Sequence, residues 1–221
     1  MNDIPILIPA RGGSVRIPHK NIVDLCERPL LSYVINESLK VTDDVYVSTE
    51  NADIKKVAQT YGAKVIDRPH ELATDTISVN PTVEHFIGLL DVSKFILVQP
   101  TSPLLKAKYI FETIKMMSTQ EYDSIISVYE EQGFYWNKHG VPLNFDINNK
   151  PRTQDVAGWY AENGAIFSTT TGNFLKNKNL VNGRVGFVVM PKLLSIDIDT
   201  YKDLFLAECI LRNQESNLLL D

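Results

Sequence analysis

Short apolar runs alternate along this chain with stretches whose apolar positions return every three or four residues. Ile4 to Ala10, Asp44 to Thr49, Lys64 to Ile66, Phe95 to Gln99 and Ser124 to Tyr129 are short and largely apolar or β-branched, and read as strands. Between them, Leu30 to Val41 places Leu30, Tyr33, Val34 and Ser38 or Leu39 on one helical face. Ala52 to Tyr61 does the same with Ile54, Val57, Ala58 and Tyr61, and Gly62 ends it. Pro81 opens a further helix over Thr82 to Leu90, and Ala107 to Met117 is again amphipathic. Phe95 to Gln99 is apolar nearly throughout, the pattern of a strand covered on both faces. This alternation predicts an α/β fold with a mainly parallel sheet and helices on both faces. Ligands of such sheets bind beyond the carboxyl ends of the strands, so the loops after Pro9, Thr49, Gln99 and Ile198 are the candidate binding loops.

The rhythm stops at Gly133. From there to Asp155 the chain holds Trp136, Pro142, Asn144, Asn148, Asn149 and Pro151 without a sustained period, and reads as an insertion outside the main sheet. Ala165 to Ser168, Val185 to Met190 and Ser195 to Ile198 are expected strands, and Tyr201 to Leu211 is an expected closing helix. The polar stretch Asn213 to Asn217 is expected to fray. Without an internal repeat, residues 1–221 read as one domain carrying the 133–155 insertion.

Composition alters this picture mainly by excluding functions. A chain of 221 residues with 44% hydrophobic content can bury a substantial core. Its formal charge of −5 argues against binding nucleic acid or an anionic membrane through a global field, so an anionic ligand needs a local basic pocket. Cys26 and Cys209 are far apart and form no CxxC pair, which suits a reducing compartment, with the cytoplasm as the default. No segment reaches the ~20 apolar residues that span a bilayer, and the N-terminal apolar run follows Asp3, not a basic leader.

The local basic pocket has an obvious candidate. The first strand runs into Arg11-Gly12-Gly13-Ser14, and Arg16, His19 and Lys20 follow closely. Glycines without Cβ let main-chain N–H groups approach phosphate oxygens, and crowded cations gain from an anion among them. The loop is neither a Walker A motif nor a GxGxxG fingerprint. In Ser195-Ile196-Asp197-Ile198-Asp199-Thr200, strand alternation puts both carboxylates on one face and both isoleucines on the other. Two such carboxylates can share a hard cation. Taken alone, a helix cap explains the pair as well; beside a triphosphate loop, Mg²⁺ is favoured. Gln99-Pro100-Thr101-Ser102-Pro103 offers neutral hydrogen-bonding groups of the kind that hold sugar hydroxyls, although taken alone it reads first as a Pro-stiffened turn with a helix cap. Arg68 and Arg152 are further cations, each needing outside support. Asn163-Gly164 reads as a polar turn leading into a strand. His19, His70, His85 and His139 lack metal-ligand spacing, and no Gly-x-Ser-x-Gly elbow is present.

Six motifs stand in a familiar order: Pro9-Ala10-Arg11-Gly12-Gly13-Ser14, Pro18 with Lys20-Asn21, Arg68-Pro69 with Glu71-Leu72-Ala73, Gln99 to Pro103, Asn163-Gly164-Ala165, and Ser195 to Thr200. Over nearly its whole length the chain resembles the acylneuraminate cytidylyltransferases, the CMP-sialic acid synthetases. The resemblance implies a Rossmann-like nucleotidyltransferase fold, CTP and Mg²⁺ as co-reactants, and transfer of CMP to an acidic nine-carbon 2-keto sugar with release of pyrophosphate. It implies Arg11, Gly12, Gly13, Ser14, Lys20 and Asn21 around CTP, with Arg68, Thr76 and Ser78 toward the nucleoside. Gln99, Thr101, Ser102, Arg152, Asn163 and Phe167 fall to the sugar pocket, and Asp197 and Asp199 to the metal. Arg11, Lys20, Asp197 and Asp199 would carry the chemistry. A homodimer built through the 133–155 segment is also implied.

The chain departs from the family at three places. Val15-Arg16 replaces a frequent Lys-Gly, Leu105 followed by Lys106 replaces a frequent Arg, and Phe167 replaces a frequent Tyr. These bear on the identity of the acceptor, whether N-acetylneuraminic acid, KDN, legionaminic or pseudaminic acid, before they bear on the reaction. A CMP-Kdo synthetase usually shows Gln-Gly-Asp-Glu-Pro where Gln99 to Pro103 stands. A nucleotide-binding homologue without turnover has no need of the whole charge-handling set.

Overall fold

The computed structural model describes residues 4–156 and 158–213. The first apolar run forms β1 (Ile6–Pro9), and a small antiparallel ribbon, β2 (Asp24–Leu25) with β3 (Arg28–Pro29), leads into α1 (Leu30–Leu39). There follow β4 (Val45–Thr49), α2 (Ala52–Thr60), β5 (Lys64–Asp67), α3 (Asn80–Leu90), β6 (Lys94–Val98) and α4 (Ala107–Thr119). The second half adds β7 (Ser124–Glu131), β8 (Trp159–Thr170), α5 (Thr171–Asn177), β9 (Val185–Val189) and α6 (Tyr201–Asn213). Local chemistry sets several boundaries. Asn51 Oδ1 accepts the free N–H groups of Asp53 and Ile54 at the start of α2, and Gly62 at φ 88° follows its end.

Seven strands form one sheet in the order β5-β4-β1-β6-β8-β7-β9, and β8 alone runs against its neighbours. Alternation along β1 divides the core. Ile6 and Ile8 face the side covered by α1, α2 and α4, with Val45, Val47, Leu31, Ile35 and Ile110. Leu7 faces the other side, with Leu97, Phe86 of α3 and Phe174 of α5. There Tyr46, Phe86, Phe95 and Phe174 meet edge to face, with centroids 5.9 to 6.1 Å apart, an arrangement that adds to their area burial. Both faces of the central strands are therefore dry, as their unbroken apolar sequence requires.

Two expectations are corrected. Ser195 to Ile198 is no strand: it follows a 3-10 turn at Lys192–Leu194 and crosses beyond the sheet without a ladder. The in-and-out alternation still holds, because Ile198 is fully buried among Ile17, Leu25, Leu30 and Ala207. Asn163-Gly164 is no turn. It is a bulge inside the continuous β8, where the pairing with β7 jumps from Ile126↔Phe167 to Val128↔Glu162, and Gly164 takes φ 72°. Periodicity also missed α5, whose seven residues bury only Phe174. The 133–155 segment has order of its own, with a bridge between Trp136 and Pro142 and Phe145 packed on Phe134 and Trp136. Of the stretch expected to fray, Asn213 closes α6 and residues 214–217 lie outside the described residues.

Candidate functional site

The chain builds outward from β1 to β4 and β5, then returns to lay β6 on the other side of β1. β1 and β6 therefore lie side by side where the strand order reverses, the place at which such sheets bind ligands beyond the carboxyl ends of their strands. A cleft of about 530 Å³ occupies this place. The loop after β1 forms one wall, and Arg68 with the segment Thr74 to Val79 forms a second. Gln99, Thr101 and Phe167 contribute from β6 and β8, and Asp197 and Asp199 close the side facing Lys20.

The basic loop is braced from within. Asn21 is buried, and its Nδ2 donates to the Arg11 carbonyl at 2.8 Å. Its Oδ1 is buried with no partner among the described residues, a spare acceptor in the cleft wall. Arg11 pairs with Asp75 across the cleft mouth. Lys20 Nζ and Arg16 Nη2 both reach Asp199 Oδ1, at 3.1 and 2.9 Å. Arg68 is only 6% exposed although it lines the cleft; its Nε donates to Ser48 Oγ at 3.2 Å and its Nη2 to the Ser48 carbonyl. Burial, with Arg11 adding and Glu50 opposing, pulls its pKa down to about 10, so it stays cationic at neutral pH.

The acidic segment is pinned at both ends. Ser195 Oγ donates to the Pro191 carbonyl and accepts from Asn163 Nδ2, both at 2.9 Å. The Ile198 N–H donates to the Thr101 carbonyl at 2.9 Å, and Asp203 Oδ2 accepts from the backbone of Asp199 and Thr200. Asp197 opens onto the cleft, yet the surrounding protein replaces enough water to push its carboxyl above the usual range. The Thr101 hydroxyl and Lys20 oppose that shift, and the like charge of Asp199 adds to it. A site in which two carboxylates repel each other fits a divalent cation. The described residues hold no cluster of three or more His, Cys, Asp or Glu side chains that would cage a metal alone. Two carboxylates beside a basic loop are a donor set compatible with Mg²⁺, which keeps water and substrate oxygens in its shell.

The cleft thus gathers Arg11, Gly13, Ser14, Lys20, Asn21, Arg68, Ser78, Gln99, Thr101, Phe167, Asp197 and Asp199. Other expected residues lie elsewhere. Gly12 and Ser102 are behind the wall, and Thr76 is exposed between Asp75 and Ile77, which do line it. Arg152 is on the insertion, exposed and paired with Asp155 at 2.7 and 3.1 Å. Asn163 is buried with its polar atoms engaged by Ser127, Ala165, Ser195 and Met190, while its neighbour Gly164 faces the cleft. Arg16 reaches the site; Lys106 lies instead in a separate hollow with Arg28 and Lys40, and Leu105 is in the core. The sequence reading missed Asp75 and Glu50, both acidic groups set against the basic loop. Only the crowding of cations hinted that counter-charges were needed.

A family model described as Cytidylyltransferase matches residues 5–212. The chain is 37% identical over 215 residues to an N-acylneuraminate cytidylyltransferase of Oncorhynchus mykiss, covering 93% of this chain and 49% of that protein. It is 33% identical to the N-acylneuraminate cytidylyltransferase of Escherichia coli O18:K1:H7, covering 91% and 50%. The chain therefore spans about half the length of these relatives. It is 31% identical to a pseudaminic acid cytidylyltransferase of Campylobacter jejuni, here covering 95% of this chain and 97% of that protein. Among solved structures, a CMP:2-keto-3-deoxy-manno-octonic acid synthetase complexed with CTP superposes with a TM-score of 0.73 at 15% identity, covering 96% of this chain and all of that one. At that identity the likeness is one of fold.

Proposed function

Because the chain belongs to the cytidylyltransferase family, we propose that it transfers CMP from CTP to the anomeric hydroxyl of a nonulosonic acid and releases pyrophosphate. The observation that carries this reading is the meeting of the basic loop and the acidic pair across one cleft, joined by Lys20 and Arg16 at Asp199. Relatives named for N-acylneuraminate and pseudaminic acid support the class of acceptor. The 2-keto-3-deoxy-octonic alternative is disfavoured by Gln99-Pro100-Thr101-Ser102-Pro103, whose neutral side chains replace the acidic ones of that enzyme's usual motif.

The reaction is an in-line displacement. The sugar hydroxyl oxygen attacks the α-phosphorus, and the bond to the bridging oxygen of pyrophosphate breaks, so positioning and charge neutralisation dominate. Arg11, Ser14 and Lys20 face the triphosphate in this reading, and Arg68 and Ser78 the nucleoside. Gln99, Thr101 and Phe167 face the acceptor; Phe167 offers it no hydroxyl. Asp197 and Asp199 would hold Mg²⁺. When bound, that ion supplies charge neutralisation at the phosphates. A homodimer through the 133–155 segment and a reducing, cytoplasmic setting complete the reading. The former is supported by exposed aromatic side chains on and beside that segment, the latter by the two unbridged cysteines.

The test is pyrophosphate release with CTP and Mg²⁺ across N-acetylneuraminic, KDN, legionaminic, pseudaminic and Kdo acids, repeated with EDTA. Release with a nine-carbon acid, abolished by EDTA, is expected. Turnover of Kdo alone would replace the acceptor, and failure of every acid would remove the reaction.

A further inference from the structure

We propose that Glu50 is a positioning residue for the nucleotide: its carboxylate holds the Gly12 peptide from behind, so that the basic loop is formed before a triphosphate arrives. The proposal deepens the cytidylyltransferase reading and rests on it.

The β1–β4 ladder shows how. Its last backbone bond runs from the Ala10 N–H to the Ser48 carbonyl at 3.0 Å. Two residues further along each chain the ladder would repeat between Gly12 and residue 50. There the Glu50 side chain takes the place of the carbonyl, with Oε1 accepting from the Gly12 N–H at 2.6 Å. A charge-assisted bond of this length is among the stronger fixings a loop can have. Asn51 completes the hold, because a Cβ built on Gly12 would stand 2.7 Å from its Nδ2 and 2.8 Å from its Cβ. Asn51 itself is fixed as the cap of α2.

The two glycines of the motif therefore do different work. Gly12 is bare toward Asn51, does not line the cleft, and has its N–H engaged within the protein. Gly13 lines the cleft, and a Cβ there would meet only Arg11 Nη1 at 3.6 Å. The phosphate-facing donors of the loop are accordingly those from Gly13 onward.

Glu50 Oε2 is buried with no hydrogen-bond partner among the described residues. Desolvating a carboxylate oxygen without a partner is unfavourable, so packing alone gives no reason to keep it. Its charge acts through space on Arg68, whose protonated form it supports against burial. Glu50 thus links two parts of the nucleotide site, one by a hydrogen bond and one by charge.

The experiment is titration calorimetry of CTP, without acceptor, into the full chain as wild type, Glu50→Gln, Glu50→Asp and Glu50→Ala, with the melting temperature of each. Gln keeps an acceptor within reach of Gly12 and should bind within about threefold of wild type, whereas Ala, and Asp with its shorter reach, should bind about tenfold more weakly or worse. Hydrogen exchange at the Gly12 amide should remain slow in wild type and Gln and become fast in Asp, which keeps the assay informative if Ala fails to fold. Wild-type affinity in Asp and Ala, with or without a lowered melting temperature, would overturn the proposal, and so would tighter binding. Loss in Gln as large as in Ala would overturn it by making charge, not the acceptor, decisive. A wild type that does not bind CTP would instead sink the nucleotide reading on which it rests.

Discussion

Asp197 sits where stability and chemistry pull apart. Loss of water, aided by the like charge of Asp199, raises its carboxyl above the ordinary 3.8, so the folded state holds the proton more tightly than the unfolded chain. Stability therefore falls as pH rises through that window, and the full penalty is present at neutral pH. Asp197→Asn removes the charge and keeps an acceptor for Thr101. In EDTA its urea midpoint at pH 7 should exceed that of wild type, with the gap closing below about pH 4, while pyrophosphate release collapses. A lower midpoint at pH 7 would mean that the carboxylate is not under strain. At Asp199 the expectation differs, since Lys20 and Arg16 both depend on it. Asp199→Ala should reduce turnover at least about a hundredfold with an unchanged far-ultraviolet dichroism spectrum. At this scale the acidic pair was legible because alternation with isoleucine shows in one dimension. Glu50 was not, because nothing between Thr49 and Asn51 reveals that it completes a ladder with β1.

At the scale of elements, α6 matters as the anchor of the acidic segment. Thr200 and Asp203 form a capping box: Asp203 Oδ2 accepts from the Thr200 N–H and hydroxyl, each at 2.8 Å, and Thr200 Oγ1 accepts from the Asp203 N–H at 3.4 Å. Desolvation pushes the Asp203 carboxyl upward, but the bonds from Thr200 and Asp199 outweigh it and hold it below its ordinary value. Its stabilisation is thus present above about pH 4 and lost as pH falls through the lower folded value. Asp203→Ala should cost about 1 kcal/mol in urea unfolding at pH 7, and the difference should shrink toward pH 3. A difference independent of pH would assign the loss to packing. The same change frees the Asp199 N–H, so turnover should fall as well. The central strands followed from the apolar pattern because both of their faces are dry, so they had to be apolar nearly throughout. The bulge in β8 escaped, since Asn-Gly reads as a turn unless one knows that Ser127 and Ser195 lie on either side to satisfy the asparagine.

For the whole molecule, the face around the 133–155 segment stands out. Trp136 and Trp159 are each 44% exposed, and Tyr160, Leu143, Ile147 and Phe187 are exposed nearby in sequence or pairing. Large aromatic side chains left in water mark interfaces. Light scattering at micromolar concentration should therefore give twice the chain mass of 24.9 kDa, and Trp159→Ser should shift it toward one. A wild-type monomer would exclude the dimer. No described helix is long and apolar enough to cross a membrane.

What the sequence by itself determined was the alternation of elements, the opening of a cleft at strand ends, and the residue types of the basic loop and acidic pair that meet there. Those features are carried by neighbours in the chain, whose spacing is visible without folding. What only the tertiary structure decided was which charges meet. Arg11 finds Asp75, Lys20 and Arg16 find Asp199, and Gly12 finds Glu50. Each pair joins segments that the sheet order brings together, and no local pattern encodes that order. The structure also sent Arg152, Ser102 and Asn163 away from the cleft. The family resemblance could nominate them, but their orientation depends on a bulge, a buried turn and an inserted arm, each of which exists only in the packed fold.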